Sequence, residues 1–415
     1  MKLVYRFNNY EHNDELLQMC RIAKDLYNQA LHLFLTSLNS DEHKWLNYYD
    51  FVKQLPQMQN LEGTINYRLL KAQVSQQTLK LLDKTLKGYL KSIKDWKGHK
   101  EKYKGMPRPP RYLPRNGYFQ LCYTNQSCSV KDGRVYLSKN LSIKIPQWKK
   151  YKDKLKAFQQ VRILPKGEYT VFEIIYNDDT VVNENLNYSR YSSIDLGVNN
   201  LVTLVNDFTN PLLYNGKQVK SLNRYFNKEI ARYKSLAETN NGRKSTRRIR
   251  QLHEKRANSI DDLMHKVSRH IVRFLNENGI GNLVCGRNKG WKDSINLGKV
   301  NNQTFIQIPY ERLISQLRYK CESLGIKFIE VEEGYTSKCD ALANEEVCKH
   351  ESYSGKRVKR GLFQSGVGRL INADVNGALN ILRKVISDSS LIGEIVNSGW
   401  LFQPRKLNNL YNLSF

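Results

Sequence analysis

Two aspartates mark where this sequence could do chemistry. Asp195 lies in YSSIDLGVNNLVTLV, residues 191–205, and Asp374 in GRLINADVNGALNILRKV, residues 368–385. Ile194, Leu196 and Val198 alternate with Ser193, Asp195 and Gly197, the period of two of a half-buried strand. Asp195 is therefore expected to leave the face opposite the apolar one. An aspartate close to a glycine often belongs to a turn. Here the acid sits inside the apolar run, and a carboxylate with a glycine two residues on suits a metal-ion ligand on a sheet surface. Asp374 falls in the first turn of a helix lined on one side by Ala378, Leu382 and Val385, where an acid can also serve as a cap or a dipole partner. The two acids could converge at one end of a single sheet. Divalent magnesium, or manganese, needs carboxylate oxygens gathered from separate elements, because one carboxylate cannot hold it against water.

The elements that must position these acids can be read in chain order. LVYRF at the N-terminus reads as a strand. Leu16, Cys20, Ala23, Tyr27, Ala30 and Phe34 recur at three and four and predict an amphipathic helix, and Leu82, Leu86, Tyr89, Ile93 and Trp96 predict a second. Residues 117–180 change to short strands with turn signals between them, the spacing of a small antiparallel barrel into which the helical block is inserted. Residues 178–190 read as a linker. Asn199-Asn200 suits a two-residue hairpin turn after Asp195. A long basic helical pair follows, then the strand NLVCG (residues 282–286), a helix over residues 305–325 and the strand IKFIEVEE (residues 326–333), the order of a mixed α/β layered domain. His265 and His270 fall on the second long helix, where a lone histidine is more often structural than a ligand. The tail beyond residue 387 carries no clear signal.

Lysine and arginine number 67 against 39 aspartates and glutamates in 415 residues, a net charge of +28 with a pI near 9.7. So large an excess repels itself unless a polyanion is bound, and nucleic acid is the first candidate. In residues 91–116 nine basic residues face only Asp95 and Glu101, with Trp96, Tyr103 and Tyr112 interleaved. Lys97, Lys100, Lys102, Lys104, Arg108, Arg111 and Arg115 are the candidate nucleic-acid contacts there, with aromatic rings able to stack on bases. No apolar run approaches the length of a membrane span, and no membrane partner is expected. Seven scattered cysteines argue for a reducing compartment, the cytoplasm or, in a bacterium, its nucleoid.

Taken together, IDLGVNN, YTSKC and NADVNGALNI, in this order and spacing, resemble the TnpB proteins of insertion sequences, also called OrfB transposases, relatives of the type V CRISPR nucleases. The resemblance covers nearly the whole chain. It implies an α+β multidomain fold. A wedge-like β-barrel would take residues 1–10 and 108–182, and an inserted helical recognition domain residues 11–107. A RuvC-like (RNase H-type) α/β nuclease domain would take residues 188–334 and 369–386, interrupted by a target-nucleic-acid-binding module at 335–368 and followed by a tail at 387–415. It further implies a guide RNA made from the transposon end, a double-stranded DNA target, and cleavage beside a short motif. Asp195 would be the first RuvC acid and Asp374 the third.

The sequence departs from that pattern twice. Where the family carries a second acid, this chain has Cys285 and Gly286. Glu333, at the end of a strand and two residues before the YTS motif, is the favoured substitute, similar to the relocated glutamate of Fanzor proteins. Glu332 would face the other way. Where the family has two CxxC pairs, this chain has Cys339, Cys348 and His350, with Gln364 and Val367 near the second pair, so the module is expected to fold without zinc. Lys356, Arg357, Lys359 and Arg360 then give it a basic, DNA-facing loop. Three functions stay open: a metal-dependent RNA-guided DNA endonuclease, a nuclease-dead RNA-guided DNA binder, and a basic RNA-binding scaffold.

Overall fold

The computed structural model describes residues 2–41, 43–178, 183–242, 245–287, 307–386 and 389–413. The chain divides into two compact units, Met1–Asp179 and Thr180–Phe415. No helix among the described residues is long and apolar enough to cross a membrane.

In the first unit, β1 (Lys2–Asn9) leads into α1 (Asn13–Asn39), α2 (Tyr48–Gln54) and α3 (Ala72–Gly98). All six apolar positions read from the period of α1 are buried. Its early residues Leu16, Cys20 and Ala23 join the core of the sheets, whereas Leu26, Ala30 and Phe34 pack among the helices, so one helix serves two cores. The apolar stripe of α3 closes with Leu86, and its later turns carry no buried residue. The segment after α3 is tied to α1 by Asn28, which donates to Leu113 O (3.0 Å) and accepts from Leu113 N (2.8 Å), and by Lys24, which donates to Arg115 O (2.9 Å).

The strands that follow are β2 (Leu121–Thr124), β3 (Ser129–Lys131), β4 (Arg134–Tyr136), β5 (Ser142–Lys144), β6 (Phe158–Pro165) and β7 (Thr170–Asn177), with a short helix α4 (Trp148–Leu155) that the sequence pattern does not foresee. The expected barrel is not found. Among the described residues the strands form two open sheets, in the orders β1-β7-β6-β2 and β3-β4-β5, and neither closes into a barrel. The physical reason lies at the edges. β3, β4 and β5 are three residues each and pair only with one another, leaving β1 and β2 as free edges of the larger sheet. The two sheets share one apolar core instead, in which Leu121, Val135, Ile143, Val161 and Phe172 are buried.

The second unit is built on a six-stranded mixed sheet in the order β12-β11-β8-β9-β10-β16. Its strands are β8 (Asn187–Asp195), β9 (Asn200–Asn206), β10 (Leu212–Asn215), β11 (Ile280–Gly286), β12 (Lys327–Val331) and β16 (Arg405–Leu407). Between them come α5 (Lys217–Asn241), α6 (Arg247–Glu277) and α7 (Tyr310–Leu324), and after β12 the small sheet β13 (Lys356–Lys359), β14 (Leu362–Gln364) and β15 (Leu370–Asn372). The helix α8 (Ala373–Arg383) runs on from β15, and α9 (Ser389–Asn397) precedes β16. The tail thus supplies a helix and the last strand, which pairs parallel with β10.

Each face of this sheet has its own helical cover. Ile194, Leu201, Val202 and Leu204 pack with Met264, Val267 and Ile271 of α6 and with Leu313 and Leu317 of α7. Val205, Leu213 and Val284 pack with Ala378, Leu379 and Leu382 of α8 and with α9. Burying each such side chain contributes about 1.5–3 kcal/mol, which fixes both faces of the strands and therefore their register.

Candidate active site

Asp195 is the last residue of β8, and it does leave the face opposite Ile194 and Leu196, as the alternation predicts. That face belongs to α8. Ser193, two residues earlier, donates to Ala378 O of α8 at 2.7 Å, and a Cβ on Gly377 would stand 3.1 Å from Asp195 Oδ2. A larger residue at 377 would crowd the carboxylate, so glycine suits this close approach of helix and strand. The turn after Asp195 differs from expectation. The chain reverses over residues 196–199, Asn200 is already the first residue of β9, and neither Asn199 nor Asn200 has a positive φ. Gly197 N donates to Leu201 O (3.4 Å) across the reversal, and Asn199 O accepts from Gly216 N at 2.7 Å.

Register brings the remaining positions to the same end of the sheet. β11 runs parallel to β8 with Cys285 beside Ile194, so the next step places Gly286 beside Asp195. On the other side Asp195 pairs with Thr203, which pairs with Leu213. Gly286, where the resemblance leads one to expect an acid, is therefore adjacent to Asp195. Glu333 occupies the space: a Cβ on Gly286 would lie 2.6 Å from both Cγ and Oε1 of Glu333. β12 ends at Val331, and Glu332 is exposed on the other side, lining a cleft with Arg287 and Glu330.

Asp374 stands in the first turn of α8, whose N-cap Asn372 accepts from the backbone of Asp374 (3.0 Å) and Val375 (3.3 Å). Asn200 Nδ2 donates to Asp374 Oδ2 at 2.7 Å. Two further asparagines of α8, both fully buried, hold the loop that carries Glu333. Asn376 accepts from Ala341 N (3.0 Å) and donates to Cys339 O (2.9 Å), while Asn380 donates to Thr336 O (2.9 Å) and Cys339 O (2.7 Å). Lys384 Nζ donates to Glu332 O and Gly334 O, on either side of Glu333. Asn200, Asn376, Asn380 and Lys384 were missed by sequence reasoning. A buried amide pair four residues apart in an apolar helix was the signal available for two of them.

The electrostatics of the three acids follow from this packing. Part of the Asp195 residue is accessible, but its carboxyl lies among protein atoms, and burial raises its pKa well above the usual carboxylate value. Glu333 and Asp374 add to that rise, and Arg357 opposes it. Burial pushes Glu333 up to about 7, against the pull of Lys384. Thr203 Oγ1, directly across from Asp195, is buried without a hydrogen-bond partner. Two desolvated carboxyl groups, Asp195 and Glu333, with the Asp374 carboxylate near enough to act on Asp195, form an all-oxygen donor set, which fits a hard divalent cation. Among the described residues no three acidic, histidine or cysteine side chains are closed tightly enough to grip an ion in this conformation. The acids are gathered but not drawn together.

Beside them opens a cleft of about 540 Å³, lined by Asp374 and Asn200 and by Lys217, Lys220, Arg357, Arg360 and Lys406. Arg357 shares its row of the small sheet with Phe363 and Ile371, the face that packs toward α8, which is how an insertion residue comes within electrostatic reach of Asp195. Lys356 and Lys359 are also exposed on β13. In the first unit, Lys97, Lys100, Lys102, Lys104, Arg108, Arg111 and Arg115 are all exposed.

Among the described residues, Cys339, Cys348 and His350 do not form a group closed enough to hold a metal ion. Cys339 Sγ is turned to Cys348 O (3.4 Å), and Cys348 Sγ meets His350 Nε2 (3.4 Å), which also contacts Glu346 O (2.8 Å). The module is held instead by the buried Asp340. Its carboxylate accepts from Ser365 Oγ (2.6 Å) and from the backbone of Gly366 (2.7 Å), Leu342 (3.0 Å) and Ala343 (3.3 Å).

Comparison with known proteins finds similarity in both sequence and fold. Residues 179–292 match the OrfB family model, described as a probable transposase, and residues 310–381 match the TNB domain of Cas12f1-like proteins. The chain is 29% identical over 207 residues to the TnpB-like protein ORF457 of Acidianus two-tailed virus, covering 48% of this chain and 42% of that protein. It is 29% identical over 219 residues to the CRISPR-associated endodeoxyribonuclease Cas12f1 of Sulfoacidibacillus thermotolerans, covering 49% of each. The matches thus span less than half the length of these relatives. Among solved structures, that of a Cas12f1–sgRNA–target DNA complex aligns over 89% of this chain and 82% of its own, with a TM-score of 0.55 at 16% identity, a likeness of fold. The TnpB (OrfB) resemblance read from the sequence therefore stands.

Proposed function

We propose that this chain, which carries OrfB-type and TNB-type regions, is an RNA-guided DNA endonuclease of the TnpB kind. Its guide RNA derives from a transposon end, and it cuts double-stranded DNA beside a short motif by hydrolysing a phosphodiester with a divalent cation. The observation that carries the reading is the placement of Asp195, Glu333 and Asp374 at one sheet end, against a cleft lined by five cationic side chains. In domain terms, the six-stranded unit is the RuvC-like nuclease, residues 335–368 are its target-binding module, and the first unit combines wedge and recognition parts.

In this reading Asp195, Glu333 and Asp374 hold magnesium or manganese, which supplies stabilisation of the charge that builds on the phosphate. The chain's own residues do the rest. Lys217, Lys220, Arg357, Arg360 and Lys406 neutralise and orient the phosphodiester in the cleft, where a water oxygen bonds to phosphorus as an ester P–O bond breaks. The exposed lysines and arginines of residues 97–115 take the nucleic-acid backbone. Affinity for polyanions then rests on that wide basic surface and chemistry on the acids.

The test is to purify the protein with its bound RNA, sequence that RNA, and challenge the complex with a plasmid library of randomised flanks in Mg2+. Cleavage next to one fixed motif, lost in Asp195→Ala, is the expected result. Guide-dependent binding with no cutting in either Mg2+ or Mn2+ would establish a nuclease-dead binder, the reading that holds if neither Glu332 nor Glu333 completes the site.

A further inference from the structure

We infer that Asn200 is a positioning residue of the acid site, aimed at Asp374 by a β-bulge; the inference rests on the metal-dependent reading above. Pairing between β9 and β10 runs Leu204 with Leu212, Thr203 with Leu213 and Val202 with Tyr214, and then jumps to Asn200 with Asn215. Two steps on β9 match one on β10, so Leu201 is the extra residue. The consequence is visible in the cores. Leu201 and Val202, neighbours in sequence, both pack on the α6 and α7 face, where a regular strand would send them to opposite faces. Without the bulge, Asn200 would share the face of Val202 and Leu204. With it, Asn200 returns to the face of Asp195 and Thr203, and its amide reaches Asp374 Oδ2 at 2.7 Å.

The contact has a direct chemical consequence. Asp374 is carried by a helix and Asp195 by a strand, and nothing in the backbone fixes how the Asp374 carboxylate is rotated. The Asn200 amide engages one oxygen, Oδ2, and so sets which oxygen and which lone pairs remain for a cation shared with Asp195 and Glu333. Asn200 is 7% exposed and lines the cleft, so it does this at the wall of the substrate path and not behind it. Such supporting partners change metal affinity or activity by about 10- to 100-fold when removed.

The experiment uses the full chain with its co-purified RNA and Mn2+ as the probe, followed by electron paramagnetic resonance. Asn200→Ala is expected to weaken Mn2+ binding about tenfold or more and to lower kcat to a similar degree, with KM for target DNA within about threefold of the parent. Lys220→Ala, which alters the same cleft without touching Asp374, is expected to raise KM and leave Mn2+ affinity as it was. Asn200→Ser leaves a small polar group at the strand start but falls short of Asp374, and it replaces the alanine variant should that one fail to fold. Parental Mn2+ affinity in the folded Asn200 variant, or a loss confined to KM, overturns the inference. Cleavage by Asp374→Ala at the parental rate, or no Mn2+ binding by the parent, overturns the reading beneath it, so the two failures are distinguishable.

Discussion

Glu333 fills the space that a side chain at Gly286 would need. A Cβ there would stand 2.6 Å from Cγ and Oε1 of Glu333, and Gly286 follows in register beside Asp195. In the proposed function Glu333 supplies the acid that position 286 lacks. Glu333→Gln, which keeps shape and removes charge, should therefore lower plasmid cleavage by about 100-fold or more, beyond the effect of removing an outer hydrogen-bond partner. Glu332→Gln, on the side of Arg287 and Glu330, should change it by less than about threefold. Full cleavage by the Glu332→Gln, Glu333→Gln double variant would assign the third ligand elsewhere.

The same packing decides how a graft must be made. Gly286→Glu added to Glu333→Gln should not restore activity, because both side chains compete for one space. Gly286→Glu combined with Glu333→Ala, which vacates it, should regain part of the lost rate. Equal recovery in both backgrounds, measured by initial cleavage rates, would show that the space is not shared.

Binding and chemistry should separate. Asp195→Ala or Asp374→Ala should abolish cleavage and leave RNA affinity nearly unchanged. Replacing Lys97, Lys100, Lys102 and Lys104 by alanine should weaken nucleic-acid binding and reduce the slope of log affinity against log salt, by about 0.7–0.9 for each phosphate no longer neutralised. An unchanged slope would make that stretch a solvated face.

The insertion module should keep its fold through Asp340. Four donors meet its buried carboxylate, so Asp340→Ala should destabilise the module by on the order of 3 kcal/mol or more. Limited proteolysis within residues 335–368 would report it. Elemental analysis should find no stoichiometric zinc, and one equivalent bound by Cys339, Cys348 and His350 would reverse that expectation.

Acid should weaken the second unit through α6. Burial holds the pKa values of His265 and His270 below the usual 6.5, and His270 Nδ1 meets the Tyr214 hydroxyl at 2.8 Å. A histidine whose folded pKa is depressed takes its proton more readily when unfolded. Its contribution to stability is complete above about 6.5 and is lost as pH falls toward the folded value. The urea midpoint should drop between pH 7.5 and 5.5, and the drop should shrink in His270→Gln.

Local sequence pattern determined much of this protein. The stripe of α1, the alternation that turns Asp195 from Ile194, the strand NLVCG, the long basic pair and Asp374 in a helix's first turn were all legible, because each depends on the period of two or 3.6 residues imposed by the backbone. Glu333 is favoured over Glu332 through the resemblance, since their neighbouring positions alone do not say where the strand stops; that Glu333 packs against Gly286 depends on the fold. Tertiary structure decided what depends on partners distant in sequence. Edge pairing, absent from any single strand's pattern, left the expected barrel as two open sheets. Burial of Leu201 and Val202 on one face created the bulge that turns Asn200 to Asp374, and it displaced the two-residue turn that Asn199-Asn200 suggested. The featureless tail became the sixth strand because β10 had an edge to offer. The closure of the insertion module went to Asp340, whose four donors lie as far away as Gly366 and are brought to it by the fold.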